Sequence, residues 1–97
     1  MNKTELIRQT AKRARVTKEK AGEILETALA IAVEALEAGE AVSLQGFGTM
    51  ELRDRKPGMV RDFKTGELVP GKPRTVIAFT GAKELRQRVN KAKEKRE

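Results

Sequence analysis

The chain contains no histidine and no cysteine, so the side chains that most often perform catalysis are absent. A nucleophile would have to be Ser43, a threonine or a lysine activated by a carboxylate. Ser43 lies within a predicted strand, where we interpret it as structural, and the acidic residues occur singly on predicted helix faces. Disulfides and ordinary zinc sites are excluded as well. We therefore predict that the protein is not an enzyme and binds neither a metal nor a cofactor.

The segment Gly46-Phe47-Gly48 predicts a tight turn, because glycine adopts backbone angles that other residues avoid. It is not a phosphate-binding loop of the familiar kinds, since it lacks the Gly-Lys-Ser/Thr ending and is followed by a strand pattern. Residues 41–44 and 50–53 alternate apolar and polar side chains on either side of it. This pattern predicts a β-hairpin.

Basic residues are concentrated in two parts of the chain. The net charge is +7 over 97 residues. Residues 1–52 contain seven Lys/Arg and eight Asp/Glu, whereas residues 53–75 and 80–97 each contain seven Lys/Arg and three Asp/Glu. Such segregation favours a polyanionic partner, above all nucleic acid. An acidic protein, an anionic lipid surface and a merely solvated face are the alternatives.

The basic segment after the hairpin predicts a two-stranded arm that is suited to a DNA groove. Its cations would neutralise phosphates without reading sequence. These cations are Arg53, Arg55, Arg61, Lys64, Lys72 and Arg74. Phe63 lies in turn-forming sequence at the tip, where an apolar side chain can insert at a base step, unstack it and kink the duplex. The alternative for Phe63 is a local contact that stiffens the turn.

Helical periodicity predicts two helices before the hairpin. Asn2 is a suitable N-cap for a helix over residues 3–14, and Glu5 could reach back to it as in a capping box. Thr17 caps a second helix, which Gly39 ends. The apolar face of this second helix is broad enough to predict packing across a dimer, the alternative being a monomeric helical hairpin.

A third helix follows the arm, and we expect Thr80 or Gly81 to cap it. Residues 91–97 are expected to fray as a charged tail. Within the arm, prolines cannot donate to a strand ladder, so we predict that they interrupt its pairing. These prolines are Pro57, Pro70 and Pro73.

Length and hydropathy place the protein among small, single-domain chains with limited capacity to bury a core, so oligomerisation is expected. No apolar run of about 18 residues predicts a membrane span. The N-terminal residues lack the apolar core of a signal peptide. We therefore expect a cytoplasmic protein.

Three of these motifs resemble the HU/IHF family of bacterial DNA-bending proteins. Residues 1–7 are similar to the family's opening, Gly46-Phe47-Gly48-Thr49 to its most recognisable motif, and Thr65-Gly66-Glu67 to its arm tip. The resemblance covers residues 1 to about 90. It implies an α+β fold: an intertwined homodimer with a helical body and a three-stranded antiparallel sheet that extends into a long β-ribbon arm. It also implies that two arms embrace the minor groove, without enzyme activity or a cofactor.

The resemblance implies one HU-like domain with four parts. These are a helical dimerisation hairpin at 1–39, the sheet at 40–56 and 75–80, the DNA-binding arm at 57–74, and the C-terminal helix with its charged tail at 81–97. The residues expected in the dimer core are Leu29, Leu36, Leu44, Phe47 and Phe79. Those that match family positions contacting the flanking DNA are Lys3, Lys18, Lys83 and Arg86.

The arm tip departs from the family's usual Arg-Asn-Pro-X-Thr-Gly, because this chain has Phe63 at the position of the intercalating proline. Asp62 replaces the asparagine, and we expect its negative charge to weaken the nearby phosphate contact. The segment Pro70-Gly71-Lys72-Pro73 leaves the register of the returning strand open.

The predicted function is architectural: binding of duplex DNA through the minor groove with low sequence specificity, followed by bending and compaction, with Phe63 as the intercalating wedge. The expected partners are double-stranded DNA, with a preference for bent or distorted duplex, and a second copy of the chain. We expect the protein in the nucleoid, with no membrane and no small-molecule substrate. A site-selective IHF-like bender, an RNA-binding protein and an adaptor for acidic proteins are the alternatives.

Overall fold

The computed structural model describes residues 1–56 and 58–96, which form an α+β fold as predicted. The elements in chain order are α1 Lys3–Ala14, α2 Lys18–Glu37, β1 Val42–Leu44, β2 Gly48–Arg55, β3 Met59–Arg61, β4 Leu68–Pro70, β5 Arg74–Gly81 and α3 Lys83–Arg96. The chain divides into two compact units, Met1–Ala38 and Gly39–Glu97. None of the helices in the described residues is both long and apolar enough to cross a membrane.

Helix α1 begins at the predicted cap, where Asn2 Oδ1 accepts a hydrogen bond from the Glu5 backbone N–H at 2.9 Å. The second half of the predicted capping box is wrong, since the Glu5 carboxylate accepts hydrogen bonds from the side chains of Arg8 and Gln9 instead. A guanidinium one turn away gives the carboxylate a charge-assisted partner that the cap's neutral N–H cannot match. The helix ends at Arg15, whose backbone is left-handed.

Helix α2 starts and stops at the predicted residues. Thr17 Oγ1 accepts a hydrogen bond from the Lys20 backbone N–H at 3.1 Å, and Gly39 follows the helix at φ +83°. In the Met1–Ala38 unit the buried residues are small: Ala11 is 5% and Ala21 2% exposed. Several large apolar residues of α2 remain largely uncovered, Leu29 and Ile31 among them. The two helices therefore pack through a narrow seam and leave an apolar face open.

Strands β1, β2 and β5 form the predicted three-stranded antiparallel sheet, in the order β1-β2-β5. The hairpin between β1 and β2 is confirmed: the Phe47 N–H donates to the Leu44 carbonyl at 2.9 Å across the turn, and Gly46 has φ +80°. Strands β2 and β5 pair over their whole length, from Gly48 opposite Gly81 to Arg55 opposite Arg74.

Alternation along these strands divides the sheet into two faces. One of them, the apolar face, is defined by Val42, Leu44, Met50, Leu52, Ile77 and Phe79. The ring of Phe47, from the turn, packs against Phe79 with centroids 5.5 Å apart and planes tilted by 49°. Both rings remain about half exposed. The chain therefore builds an apolar surface that it does not cover.

Helix α3 differs from the prediction at both ends. Thr80 and Gly81 belong to β5, and Ala82 is the residue whose carbonyl accepts the first helical hydrogen bond, from Arg86 N–H at 2.9 Å. The Ala82 N–H donates to the Phe47 carbonyl at 3.0 Å, so a contact distant in sequence fixes where the strand gives way to the helix. The prediction that Thr80 or Gly81 caps the helix is therefore wrong, because it considered only neighbouring residues.

The expected fraying of the C-terminal tail is also wrong for residues 91–96, which are helical. Lys93, Lys95 and Arg96 occupy the last turn, where cations interact favourably with the helix dipole. Lysine, alanine and glutamate are good helix formers as well. The last residue of the predicted tail, Glu97, lies outside the described residues.

The returning strand of the arm pairs in a definite register: Met59 opposite Pro70, Val60 opposite Val69, and Arg61 opposite Leu68. These strands form a separate two-stranded sheet. The predicted interruption is found at Pro73, which lies between β4 and β5. It is wrong at Pro70, which is the last residue of β4 and pairs with Met59. The prediction for Pro57 falls outside the described residues.

Gly48 leaves no room for a side chain, and this generates a first prediction. A Cβ at this position would lie 2.6 Å from two Phe79 ring atoms and from the Thr80 carbonyl oxygen. We expect Gly48→Ala to lower the free energy of unfolding by about 1–3 kcal/mol, the usual range for overpacking. Urea denaturation at one fixed protein concentration measures this. Gly58→Ala is the control, because nothing lies within 4 Å of its added Cβ. Equal losses in both variants would show that crowding against Phe79 and Thr80 is not the cause.

The Glu5 carboxylate provides a second prediction. Hydrogen bonds, first from the Arg8 side chain and then from Gln9, lower the pKa of Glu5 from its ordinary 4.5 to about 2. Because the folded state has the lower pKa, this pair stabilises the fold above pH 4.5, and the stabilisation is lost as the pH falls towards 2. In Arg8→Met we expect the pKa of Glu5 to return towards 4.5, as measured by carbon NMR titration of its carboxyl group. Lys12→Met is the control and should leave the titration of Glu5 unchanged.

Candidate nucleic-acid interface

The face of the sheet opposite the apolar face carries arginines. Arg53 and Arg55 lie two residues apart on β2, so both belong to this face, and Arg55 lies directly opposite Arg74 on β5. Like charges in directly opposed positions repel one another. The sheet thus brings three of the predicted cations together on one surface. Binding of a polyanion there would reduce the repulsion between them.

Glu51 lies on the same face and modifies this cluster. The Arg53 guanidinium donates to Glu51 Oε1, with Nη2 at 3.0 Å and Nε at 3.3 Å. Sequence reasoning did not assign Glu51 a role, although its position two residues from Arg53 places both side chains on one face of a strand. Arg53 is thus a partly neutralised cation.

Few other predicted cations have acidic partners. Lys3 forms an ion pair with Glu26 in the Met1–Ala38 unit. Across residues 1–56 and 58–96, the remaining predicted cations form no ion pair. They are Lys18, Arg55, Arg61, Lys64, Lys72, Arg74, Lys83 and Arg86, and all are exposed.

Three of the predicted lysines share a position that sequence reasoning did not remark on. Lys3, Lys18 and Lys83 are the first residues of α1, α2 and α3, respectively. A cation at a helix N-terminus opposes the helix dipole, so it gains nothing from its own helix. The same N-terminus attracts phosphate. These positions are therefore unfavourable locally and favourable for an anionic ligand. Lys3 and Lys18 belong to Met1–Ala38, and Lys83 to Gly39–Glu97.

The arm ends in a closed turn. The Asp62 N–H donates to the Glu67 carbonyl, and the Gly66 N–H donates to the Asp62 carbonyl, both at 2.8 Å. Gly66 has φ +73°, which glycine adopts without strain. The Arg61 side chain crosses the turn, with Nη1 donating to the Gly66 carbonyl at 2.7 Å. The sequence predicted a turn here, and these bonds define its geometry.

Phe63 projects from this turn into solvent and is 106% exposed. A ring with that exposure makes no packing contact that could stiffen the turn. The alternative of a local contact for Phe63 is therefore wrong. A fully exposed aromatic side chain has no role in the stability of the folded chain.

Apolar side chains also line the arm behind the tip, and sequence reasoning overlooked them. Met59, Val60 and Leu68 are each more than half exposed. The signal was present as two short apolar runs on either side of the turn, but it was read as part of a basic segment. The arm therefore has an apolar surface besides its charges.

No group of three or more acidic residues that could hold a metal ion occurs within the described ranges. Ser43 accepts a hydrogen bond from the Thr49 hydroxyl at 3.3 Å across the hairpin, and these two residues are directly opposite in the ladder. The arrangement of Ser43 fits the structural interpretation.

Fold and surface together define a class: small basic proteins in which two strands of a short antiparallel sheet lead into an exposed β-ribbon. Comparison with protein families agrees with this class. The family model described as bacterial DNA-binding protein matches residues 1–90. The chain belongs to this family.

Individual relatives are similar over nearly the whole chain. DNA-binding protein HU-1 of Halalkalibacterium halodurans is 39% identical, over 92% of this chain and 99% of its own. Integration host factor subunit alpha of Pasteurella multocida is 41% identical, over 98% of this chain and 97% of its own. Among solved structures, the Anabaena HU–DNA cocrystal structure matches with a TM-score of 0.81 and 40% identity, covering 92% of this chain and 97% of that one.

Proposed function

We propose that this protein is an architectural DNA-binding protein that binds duplex DNA through the minor groove with low sequence specificity and bends it. The observation that carries the proposal is the fully exposed Phe63 ring at the closed tip of a basic ribbon. A relative named DNA-binding protein and a neighbour solved with DNA support it. We further propose that it acts without enzymatic activity and belongs to the cytoplasmic nucleoid.

Phosphate neutralisation supplies the affinity in this proposal. Arg55 and Arg74, with Arg53, present guanidinium groups on one sheet face, and Arg61, Lys64 and Lys72 continue the charge along the arm. Contacts of this kind position a protein on DNA but carry no sequence information. They are the reason for proposing low specificity.

Phe63 supplies the bend. Inserting an apolar side chain at a base step costs about a few kcal/mol of stacking, which the extra contacts of a bent duplex offset. Met59, Val60 and Leu68 extend the apolar surface behind the ring, which is consistent with an arm that lies against the walls of a groove. In a distorted duplex part of the base stacking is already lost, so the protein should bind it more tightly than a regular duplex.

The body of the protein would hold the flanking DNA. Lys3, Lys18 and Lys83 occupy first positions of helices, where phosphate is favoured, and Arg86 lies about one turn beyond Lys83. Contacts there keep the two ends of a bent duplex from straightening.

A second copy of the chain is the proposed occupant of the apolar surfaces. In Met1–Ala38 these include Leu29 and the half-buried Leu36, and in Gly39–Glu97 they include Leu44, Phe47 and Phe79. One chain alone buries little beyond Ala11 and Ala21. A core of that size cannot stabilise a domain of this length, whereas a homodimer pools two such cores.

Two alternatives have less support. The HU relative and the integration host factor relative have nearly the same sequence identity to this chain, so the comparisons do not favour a site-selective bender. RNA recognition usually requires an aromatic stacking platform. Here Phe47 and Phe79 pack against one another, which leaves Phe63 alone at the arm tip.

End-to-end energy transfer on a doubly labelled, random-sequence duplex of about 35 base pairs tests the proposal, since bending brings the labels together. We expect transfer to rise on titration and to saturate at two chains per duplex. A second, unrelated duplex should bind within a factor of about a thousand of the first. Absence of binding at low salt would overturn the DNA assignment, and binding without a rise in transfer would overturn the bending.

Replacing the tip residue separates binding from bending. We expect Phe63→Ala to retain weak binding and lose most of the rise in energy transfer, because the phosphate contacts remain and the wedge is gone. Phe63→Leu is the matched variant and should keep part of the bend, since its side chain is still apolar. Full bending by Phe63→Ala would show that the ring is not the wedge.

Releasing Arg53 from its internal partner should strengthen binding. In Glu51→Gln the guanidinium loses a competing carboxylate, so we expect about two- to fivefold tighter binding at low salt, the range of an exposed ion pair. The advantage should shrink as salt is raised. Glu34→Gln changes the net charge equally on the exposed surface of α2 and serves as the control. An equal gain in both variants would assign the effect to net charge instead.

A further inference from the structure

We propose that Asp62 is a positioning residue that holds the arm tip ready before DNA is bound. This inference rests on the proposed function of Phe63 as the wedge. Asp62 was expected only to weaken a phosphate contact through its charge. The geometry points to a second role that acts in the opposite direction.

The side chain of Asp62 closes a small ring around Phe63. Its Oδ1 accepts a hydrogen bond from the Lys64 backbone N–H at 2.9 Å, so Phe63 is the single residue enclosed. Short acidic and amide side chains form such turns because they mimic a backbone carbonyl. The enclosed residue points outward, as the exposure of Phe63 shows.

The backbone of Asp62 is fixed at the same time. Its N–H donates to the Glu67 carbonyl and its carbonyl accepts from the Gly66 N–H, both at 2.8 Å. Asp62 thus uses its N–H, its C=O and its carboxylate within one turn, and it is partly buried while Phe63 and Lys64 are exposed. Asp62 is therefore held by three hydrogen bonds, and it precedes Phe63, whose side chain is fully exposed.

The Arg61 side chain does not neutralise this carboxylate. Its Nη1 donates to the Gly66 carbonyl at 2.7 Å, and Asp62 takes part in no ion pair with the residues that the structure describes. The carboxylate therefore keeps its charge beside the surface proposed to meet phosphate. A residue that opposes binding by its charge needs another reason to be there, and the hydrogen bond to Lys64 provides it.

Order at the tip matters because Phe63 has no packing contact of its own. A free loop would have to lose conformational freedom on insertion, which weakens binding. A turn already closed in the free protein avoids that loss. The contribution of one hydrogen bond corresponds to roughly a two- to tenfold change in affinity for each arm.

Two substitutions separate the positioning role from the charge. Asp62→Asn keeps a side-chain oxygen that can accept from the Lys64 N–H and removes the charge, whereas Asp62→Ala removes both. Glu67→Ala is the matched control: it removes a negative charge from the same turn, yet its carboxylate accepts no hydrogen bond in the described chain.

The first measurement uses the free full-length protein. Amide hydrogen exchange at Lys64 and Gly66, with nitrogen relaxation at Phe63, should show a faster-exchanging and more mobile tip in Asp62→Ala. Asp62→Asn and Glu67→Ala should match the parent chain. An unchanged tip in Asp62→Ala would overturn the inference without involving DNA.

The second measurement is affinity and energy transfer on the labelled duplex. Asp62→Asn and Glu67→Ala should bind at least as tightly as the parent, and Asp62→Ala roughly two- to tenfold more weakly per arm with less bending. If both Asp62 variants bind more tightly by the same factor, Asp62 acts through charge alone and the inference fails. A parent chain that binds no DNA would instead remove the proposed function, while the exchange measurement would still decide whether Asp62 orders the turn.

Discussion

The pairing of β2 with β5 is the interaction on which the rest of the structure depends. Because side chains alternate along a strand, its register places Met50, Leu52 and Phe79 on one face and Arg53 and Arg55 on the other. A slip by one residue would move the arginines into the apolar face. Gly48 helps to hold the register, since its missing side chain is what lets Phe79 and the Thr80 carbonyl come so close. The same two strands lead into the arm.

The surface of the protein is organised for a ligand and not for the stability of the isolated chain. Arg55 opposes Arg74, three lysines begin helices, and Asp62 keeps an unneutralised carboxylate at the arm tip. Each arrangement is locally unfavourable or neutral. Together with the uncovered Phe63, they are consistent with the proposal that DNA and a second copy of the chain cover these surfaces.

Much of the fold followed from local signals. The caps at Asn2 and Thr17, the stop at Gly39 and the turn at Gly46 were predictable because each depends on a residue and its near neighbours. At the start of α3 the prediction was wrong because a distant contact decided the outcome. The Phe47 carbonyl, far away in sequence, captures the Ala82 N–H and moves the start of α3 past Thr80 and Gly81. Residues 91–96 remain helical, since helix propensity and dipole interactions outweigh the expected fraying.

The sequence by itself indicated a polyanionic partner, because composition and segregated charge do not depend on how the chain folds, and its motifs carried the resemblance to the family. It also indicated the arm, its tip residue and the cations along it. Only the tertiary structure decided which cations face one another across strands, as Arg55 faces Arg74, and which distant carbonyl fixes the start of α3. Those outcomes depend on register and backbone direction. Pairings between strands are fixed by the whole sheet, so no local pattern encodes them.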